Sequence, residues 1–156
     1  MATLAEVEGE VDPGGTTKEL SALAEGFIRS HGAVPGFLGY GNPLFPATLC
    51  VSVNEYVVHG LPSGYVLKNG DIVSVDCGTV MKGFYGDSAY TFAVGEVSSG
   101  VGKLLQVTKE ALYKGFAQAT AGNRIGDIYA AVQSHAASNG VAVVRELAGH
   151  GRGRTM

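Results

Sequence analysis

The sequence has no apolar run approaching the ~18 residues that a membrane-spanning helix needs. It has only two cysteines, Cys50 and Cys77, too few for a disulfide scaffold. It lacks a basic excess: 11 Lys and Arg against 14 Asp and Glu leave a net charge of −3 and a pI near 5.7. That balance gives no electrostatic footprint for nucleic acid or for an anionic membrane. There is no Gly-x-Ser-x-Gly elbow, and Gly149-His150-Gly151-Arg152-Gly153 has neither a P-loop lysine nor full dinucleotide spacing. The acidic start, residues 1–10, is without the charged-then-apolar layout of a signal peptide. These absences predict a cytoplasmic chain with reduced thiols and no nucleic-acid or membrane partner.

With 46% apolar and 16% charged residues, 156 residues suffice for one domain with a real core. Glycine is abundant, 24 residues spread along the chain, which predicts many tight turns and close backbone approaches rather than a linker.

The stretch from Thr3 to His31 is predicted helical in two pieces, separated by Asp12-Pro13-Gly14-Gly15. In the second piece Leu20, Leu23, Ala24, Phe27 and Ile28 repeat at amphipathic helical spacing, with Thr16 or Thr17 as cap and Gly32 as stop. Residues 32–47 read as a loop with short extended pieces. Strands follow at Thr48–Asn54, Ile72–Val80 and Phe84–Val94. Helices fit Gly102–Ala119, with Leu104, Leu105, Thr108, Leu112 and Phe116 on one face, and Ile125–Ser138. A last strand is predicted over Gly140–Leu147, running into Ala148-Gly149-His150. Residues 13–20 also echo residues 121–128, and the same offset pairs Gly32 with Gly140. Each copy reads as a turn, an amphipathic helix, a glycine stop and an extended segment, so pseudo-symmetric halves are one reading and two similar helix entries the other.

Two aspartates, Asp76 and Asp87, interrupt the apolar hairpin. A two-residue loop at Met81-Lys82 sets them directly opposite on one face; a three-residue loop ending at Gly83 turns them to opposite faces. Opposed carboxylates repel and lose hydration, so they must share a proton, pair with a buried Arg or Lys, or bind a divalent cation. The nearest basic side chain in sequence is Lys82, at the turn tip. Alternatively, Gly86-Asp87-Ser88 forms a bulge or turn. His150 stands between glycines that allow a fixed ring position, as a ligand or catalytic residue needs. His59 ends an apolar run before the rigid Gly60-Leu61-Pro62. His31 and His135 fit helix ends.

Several motifs in series resemble type I methionine aminopeptidases: Gly32-Ala33-Val34-Pro35-Gly36-Phe37, Phe45-Pro46-Ala47-Thr48-Leu49-Cys50, Val58-His59-Gly60-Leu61-Pro62, Leu67-Lys68-Asn69-Gly70-Asp71, Gly83-Phe84-Tyr85-Gly86-Asp87 and Gly149-His150-Gly151. The resemblance covers nearly the whole chain. It implies an α/β (α+β) pita-bread fold, a mainly antiparallel curved sheet with helices on one face. Residues 1–156 would form a partial catalytic domain, the first half and the opening of the second, with a pseudo-repeat boundary near 100–120. It implies Asp76, Asp87 and His150 as ligands of two divalent metal ions (Co, Mn, Fe or Zn). His59 would be the catalytic histidine that also holds substrate, and Tyr40, Phe45 and Cys50 would line a methionine side-chain pocket. The implied activity is removal of the N-terminal methionine of nascent polypeptides, near the ribosome, by a metal-activated water. The family's two further glutamate ligands would fall beyond Met156, so the expectation is a chain cut short at both ends, with little activity alone and a tendency to self-associate. Arg152 replaces a residue that is usually aliphatic. A non-catalytic pita-bread binding module and a prolidase-like peptidase are the alternatives.

Overall fold

Helices α1 (Ala2–Glu8) and α2 (Thr17–Ser30) open the chain in the computed structural model, which describes residues 2–156. Thr16 caps α2: its hydroxyl accepts from the Glu19 N–H at 3.2 Å, and the Glu19 carboxylate accepts from the Thr16 N–H at 2.8 Å. This reciprocal pair satisfies donors that a helix start otherwise leaves open. Gly32, at φ 72°, turns the chain out of the helix. Leu20, Ala24 and Ile28 recur one helical turn apart and are fully buried, each large side chain contributing ~1.5–3 kcal/mol by leaving water.

Four antiparallel strands form the sheet: β1 (Val34–Pro35), β2 (Leu49–Val53), β3 (Ile72–Met81) and β4 (Phe84–Ala93). β3 is central. β4 lies along one side of it, while β1 and β2 lie end to end on the other, opposite Thr79-Val80 and Val73–Cys77 respectively. Alternation then separates two faces. Leu49, Val51, Val73, Val75, Cys77 and Phe92 face the core with Leu4, Val7, Leu20 and Ile28, so α1 and α2 cover that face. Cys50, Ser52, Ser74, Asp76 and Gly78 belong to the other face.

The β3–β4 turn differs from the simplest expectation. Met81 pairs with Phe84, so the two-residue loop is Lys82-Gly83, not Met81-Lys82. Both loop residues have positive φ, 51° and 79°, the conformation that matches the twist of a tight hairpin. Glycine adopts it freely, and placing Gly83 there moves the register by two positions.

A first compact unit comprises the chain to Val97 with Gly151–Met156, and a second comprises Ser98–His150. In the second, α3 (Ser99–Gln118) and α4 (Ile125–Ser138) pack as a hairpin. The face of α3 used for packing is Val107, Ala111 and Gly115, which are buried, whereas the predicted stripe leaves Leu104, Leu112 and Phe116 40–59% exposed. Small residues won because they let the helices approach: a Cβ on Gly115 would come within 2.9 Å of Val132.

The internal echo is visible in the backbone. α2 and α4 are both 14 residues long and begin 108 positions apart, at Thr17 and Ile125. Gly14 and Gly122 precede them at φ 104° and 98°, and Gly32 and Gly140 follow at 72° and 75°. The Ala33 and Val141 N–H groups donate back to Ile28 and Ala136. After α4, however, the predicted strand at Gly140–Leu147 does not form; the segment is irregular with a turn at Arg145-Glu146. A strand exists only by pairing, and none of the described residues pairs with this one. No helix among the described residues is long and apolar enough to cross a membrane.

Candidate functional site

Asp87 stands opposite Gly78 in the ladder, and Asp76 stands opposite Ala89. The aspartates are therefore diagonal neighbours on one face, two residues apart in register, rather than directly opposed. The expected shared face holds, because a shift of two preserves side-chain alternation; the expected direct pairing does not. Neither residue is in a bulge or turn: both lie within regular strands.

The two carboxyls act on one another, and Asp76 is raised from 3.8 to about 6. Burial is the main cause, followed by the charge and hydrogen bond of Asp87; the Cys77 N–H and the Arg152 charge act against it. Asp87 accepts a hydrogen bond from Arg152 Nε at 2.9 Å, with side chains only 13% and 26% exposed. One of the three forms of compensation open to a carboxylate pair, an arginine, is thus present on Asp87. Lys82 plays no part. Arg152 lies 65 positions from Asp87, and nothing in the local sequence links them.

Other residues complete this face. Cys50 is the β2 neighbour of Asp76 and is 6% exposed. Burial, with the charges of Asp76 and Asp87 added, pushes its thiol up to about 12. Ser74 and Thr91, paired across β3 and β4, share a hydroxyl hydrogen bond of 2.8 Å one step along the same face. Gly78 leaves room for the Phe37 ring, into which any Cβ there would run. Neither this hydroxyl pair nor Phe37 stands out in the sequence, although a glycine inside a strand signals close approach.

Tyr40 and Phe45 meet one another across a loop, the Phe45 N–H donating to the Tyr40 carbonyl at 2.8 Å; Tyr40 is 51% exposed and Phe45 half-buried. His59, at φ 59°, is exposed at the free edge of β2, where Gly60 accepts from the Val51 N–H at 2.8 Å and donates to the Ser52 hydroxyl at 3.0 Å. It lines a cavity of about 570 Å³ with Tyr56, Val58, Leu61 and Tyr65. His150 is described with the second unit: it is exposed and follows Gly149, whose carbonyl accepts from the Tyr129 hydroxyl at 3.0 Å. The structure thus brings Asp76, Asp87 and Cys50 together and pairs Tyr40 with Phe45. Among the described residues no three His, Cys, Asp or Glu side chains are grouped to hold a metal ion.

A family model for metallopeptidase family M24 matches residues 1–156. The chain belongs to that family. It is 49% identical over 155 residues to a methionine aminopeptidase of Clostridium acetobutylicum, covering 99% of this chain and 61% of that one. The crystal structure of a methionine aminopeptidase from Thermotoga maritima superposes with a TM-score of 0.95 at 41% identity, over 99% of this chain and 61% of that one. An Xaa-Pro dipeptidase from Bacillus anthracis is more distant, with a TM-score of 0.81 at 26% identity over 99% of this chain and 42% of the other. The fold is therefore part of the pita-bread fold of methionine aminopeptidases, and the chain spans 61% of the length of these two methionine aminopeptidases.

Proposed function

We propose that this chain carries part of the active site of a metal-dependent aminopeptidase that removes N-terminal methionine from nascent polypeptides in the cytoplasm. The observation that carries this reading is the same-face placement of Asp76 and Asp87, with Asp76 raised by burial first and by Asp87 second. Hard oxygen donors that repel each other suit a divalent cation, and two such carboxylates can hold a pair of them. Asp76 and Asp87 would hold the ions, with His150 as the imidazole ligand that the family resemblance implies. When bound, the metals supply a Lewis acid for the scissile carbonyl and a nucleophile at neutral pH.

The chain's own residues supply binding and orientation. Tyr40 and Phe45, tied by a backbone hydrogen bond, would supply apolar surface for the methionine side chain, and the protonated Cys50 thiol a soft one that suits an unbranched thioether. His59, beside Gly60 and its bonds to β2, would supply a ring N–H for a substrate carbonyl. The two thiols are free and buried, which suits a reducing compartment. A prolidase-like activity is less well supported, given the weaker identity to the Xaa-Pro dipeptidase.

Incubating the chain with Met-Ala-Ser and Mn²⁺ or Co²⁺ tests the reading. We expect slow methionine release, because the described residues form no complete ligand cluster, and we expect Asp76→Ala and Asp87→Ala to abolish it. A second reading is a binding module without hydrolysis, favoured by the arginine already seated on Asp87. Under that reading no divalent ion binds by calorimetry and Asp76→Ala is silent.

A further inference from the structure

The chain's last residues, Gly151–Met156, lie within the first unit and return to the carboxylate hairpin. Three contacts hold them there. The Tyr85 N–H on β4 donates to the Gly153 carbonyl at 2.7 Å, Arg152 Nε donates to Asp87 Oδ2 at 2.9 Å, and the Arg154 guanidinium lies over the Phe84 ring at 4.5 Å. Backbone pairing on one side and a cation–aromatic contact on the other fix where the tail runs. The Arg152–Asp87 pair sits between them, mostly shielded from solvent, where salt screens it weakly.

We propose that Arg152 is an internal counter-cation that competes with divalent metal for Asp87, so that metal binding requires Arg152 to leave the carboxylate pair. This rests on the reading of Asp76 and Asp87 as metal ligands. A guanidinium is planar and permanently charged, and its Nε donor occupies Asp87 Oδ2, an oxygen that a metal would use. A divalent ion at Asp87 would also face a like charge at contact distance. The arginine and the metal are therefore alternatives at one carboxylate. The other two tail contacts favour the arginine, because they keep it close even when it dissociates from Asp87. With Arg152 on Asp87 the carboxylate pair carries one counter-charge without metal; with Arg152 displaced it is an open, doubly acidic platform.

Mn²⁺ titrations of the whole chain and of Arg152→Gln, by calorimetry at fixed pH and low salt, test this. Arg152→Gln should bind Mn²⁺ at least about tenfold more tightly, the order expected for removing a shielded ionic competitor. Metal-free Arg152→Gln should also melt lower than the unaltered chain, since the carboxylates lose their counter-charge, and saturating Mn²⁺ should close that gap. A residue that only packed the tail would lower the melting temperature without raising Mn²⁺ affinity. Arg152→Lys keeps the charge but loses the fork, so its affinity should lie between the two. It also serves as the test variant should Arg152→Gln not fold without metal. Equal Mn²⁺ affinity in all three chains overturns the competition and leaves the metal platform standing. No Mn²⁺ binding to any of them at millimolar concentration overturns the platform itself.

Discussion

Gly78 faces Asp87 across the β3–β4 ladder, and the Phe37 ring occupies the space that a side chain at Gly78 would fill. The backbones close up there too: the Gly36 N–H donates to the Gly78 carbonyl at 2.7 Å. A glycine normally weakens a strand interior, so its use here trades strand stability for a ring packed beside a carboxylate. Gly78→Ala should destabilise the chain by ~1–3 kcal/mol, the usual range for overpacking. Urea denaturation measures this. An unchanged midpoint would show that the ring is free to move aside.

A different aspartate is structural. Asp71 is 8% exposed and accepts from Asn54 Nδ2 at 2.9 Å, the Lys68 N–H at 2.9 Å and the Tyr65 hydroxyl at 3.0 Å. Burial works to raise its carboxyl, but those hydrogen bonds and the Lys68 charge outweigh it and hold the group below its usual value. A lowered value in the folded state means stability that is present above the unfolded value near 4 and lost as pH falls through the folded one. Asp71→Ala removes the acceptor for three donors and should cost ~2–4 kcal/mol at pH 7. The deficit should shrink below pH 4, as followed by thermal melts across pH.

How much of this was legible in the sequence depended on whether the cause was local. The ends of α2 and α4 follow from Thr16, Glu19, Asp127, Gly32 and Gly140, all within one turn of the boundary they set. The shared face of Asp76 and Asp87 follows from parity along two strands. Their register does not, because it hinges on which residues take positive φ at Lys82-Gly83. The packing face of α3 is hidden because Val107, Ala111 and Gly115 are chosen for close approach, not for hydrophobicity. The Arg152–Asp87 pair spans 65 positions and leaves no local pattern. The strand predicted at Gly140–Leu147 has the right composition, but pairing is not a property of one segment.

The two thiols should be chemically silent in the folded chain. Burial is the main cause that pushes Cys50 up to about 12 and Cys77 up to about 11. At pH 8, such thiols are roughly 0.1% thiolate or less, and thiolate is the reactive form. A disulfide-exchange reagent such as Ellman's should therefore titrate almost nothing at pH 8 without denaturant. In guanidinium it should titrate both thiols. Fast reaction of Cys50 in the folded state would mean that the face beside Asp76 opens readily.

Asp76 should make the metal-free chain more stable in acid than at neutral pH over one window. Its carboxyl is raised to about 6 in the folded state, by burial first and by Asp87 second. The folded state therefore holds this proton more tightly than the unfolded state does. The stabilising contribution is complete below the unfolded value near 4 and is lost as pH rises through about 6. The group is only partly buried, so the loss should be ~1–2 kcal/mol rather than the full conversion of the gap between the two values. Asp76→Asn keeps the shape, removes the titration and relieves the repulsion with Asp87. With chelator present, it should raise the melting temperature at pH 7.5 and leave it nearly unchanged at pH 4.5. Asp71 contributes in the opposite sense and at lower pH, and Asp76→Asn leaves that contribution in place, so the difference between the two chains isolates Asp76. A melting temperature lowered by Asp76→Asn at pH 7.5 would mean that the Arg152 counter-charge stabilises the ionised pair enough to outweigh burial and repulsion.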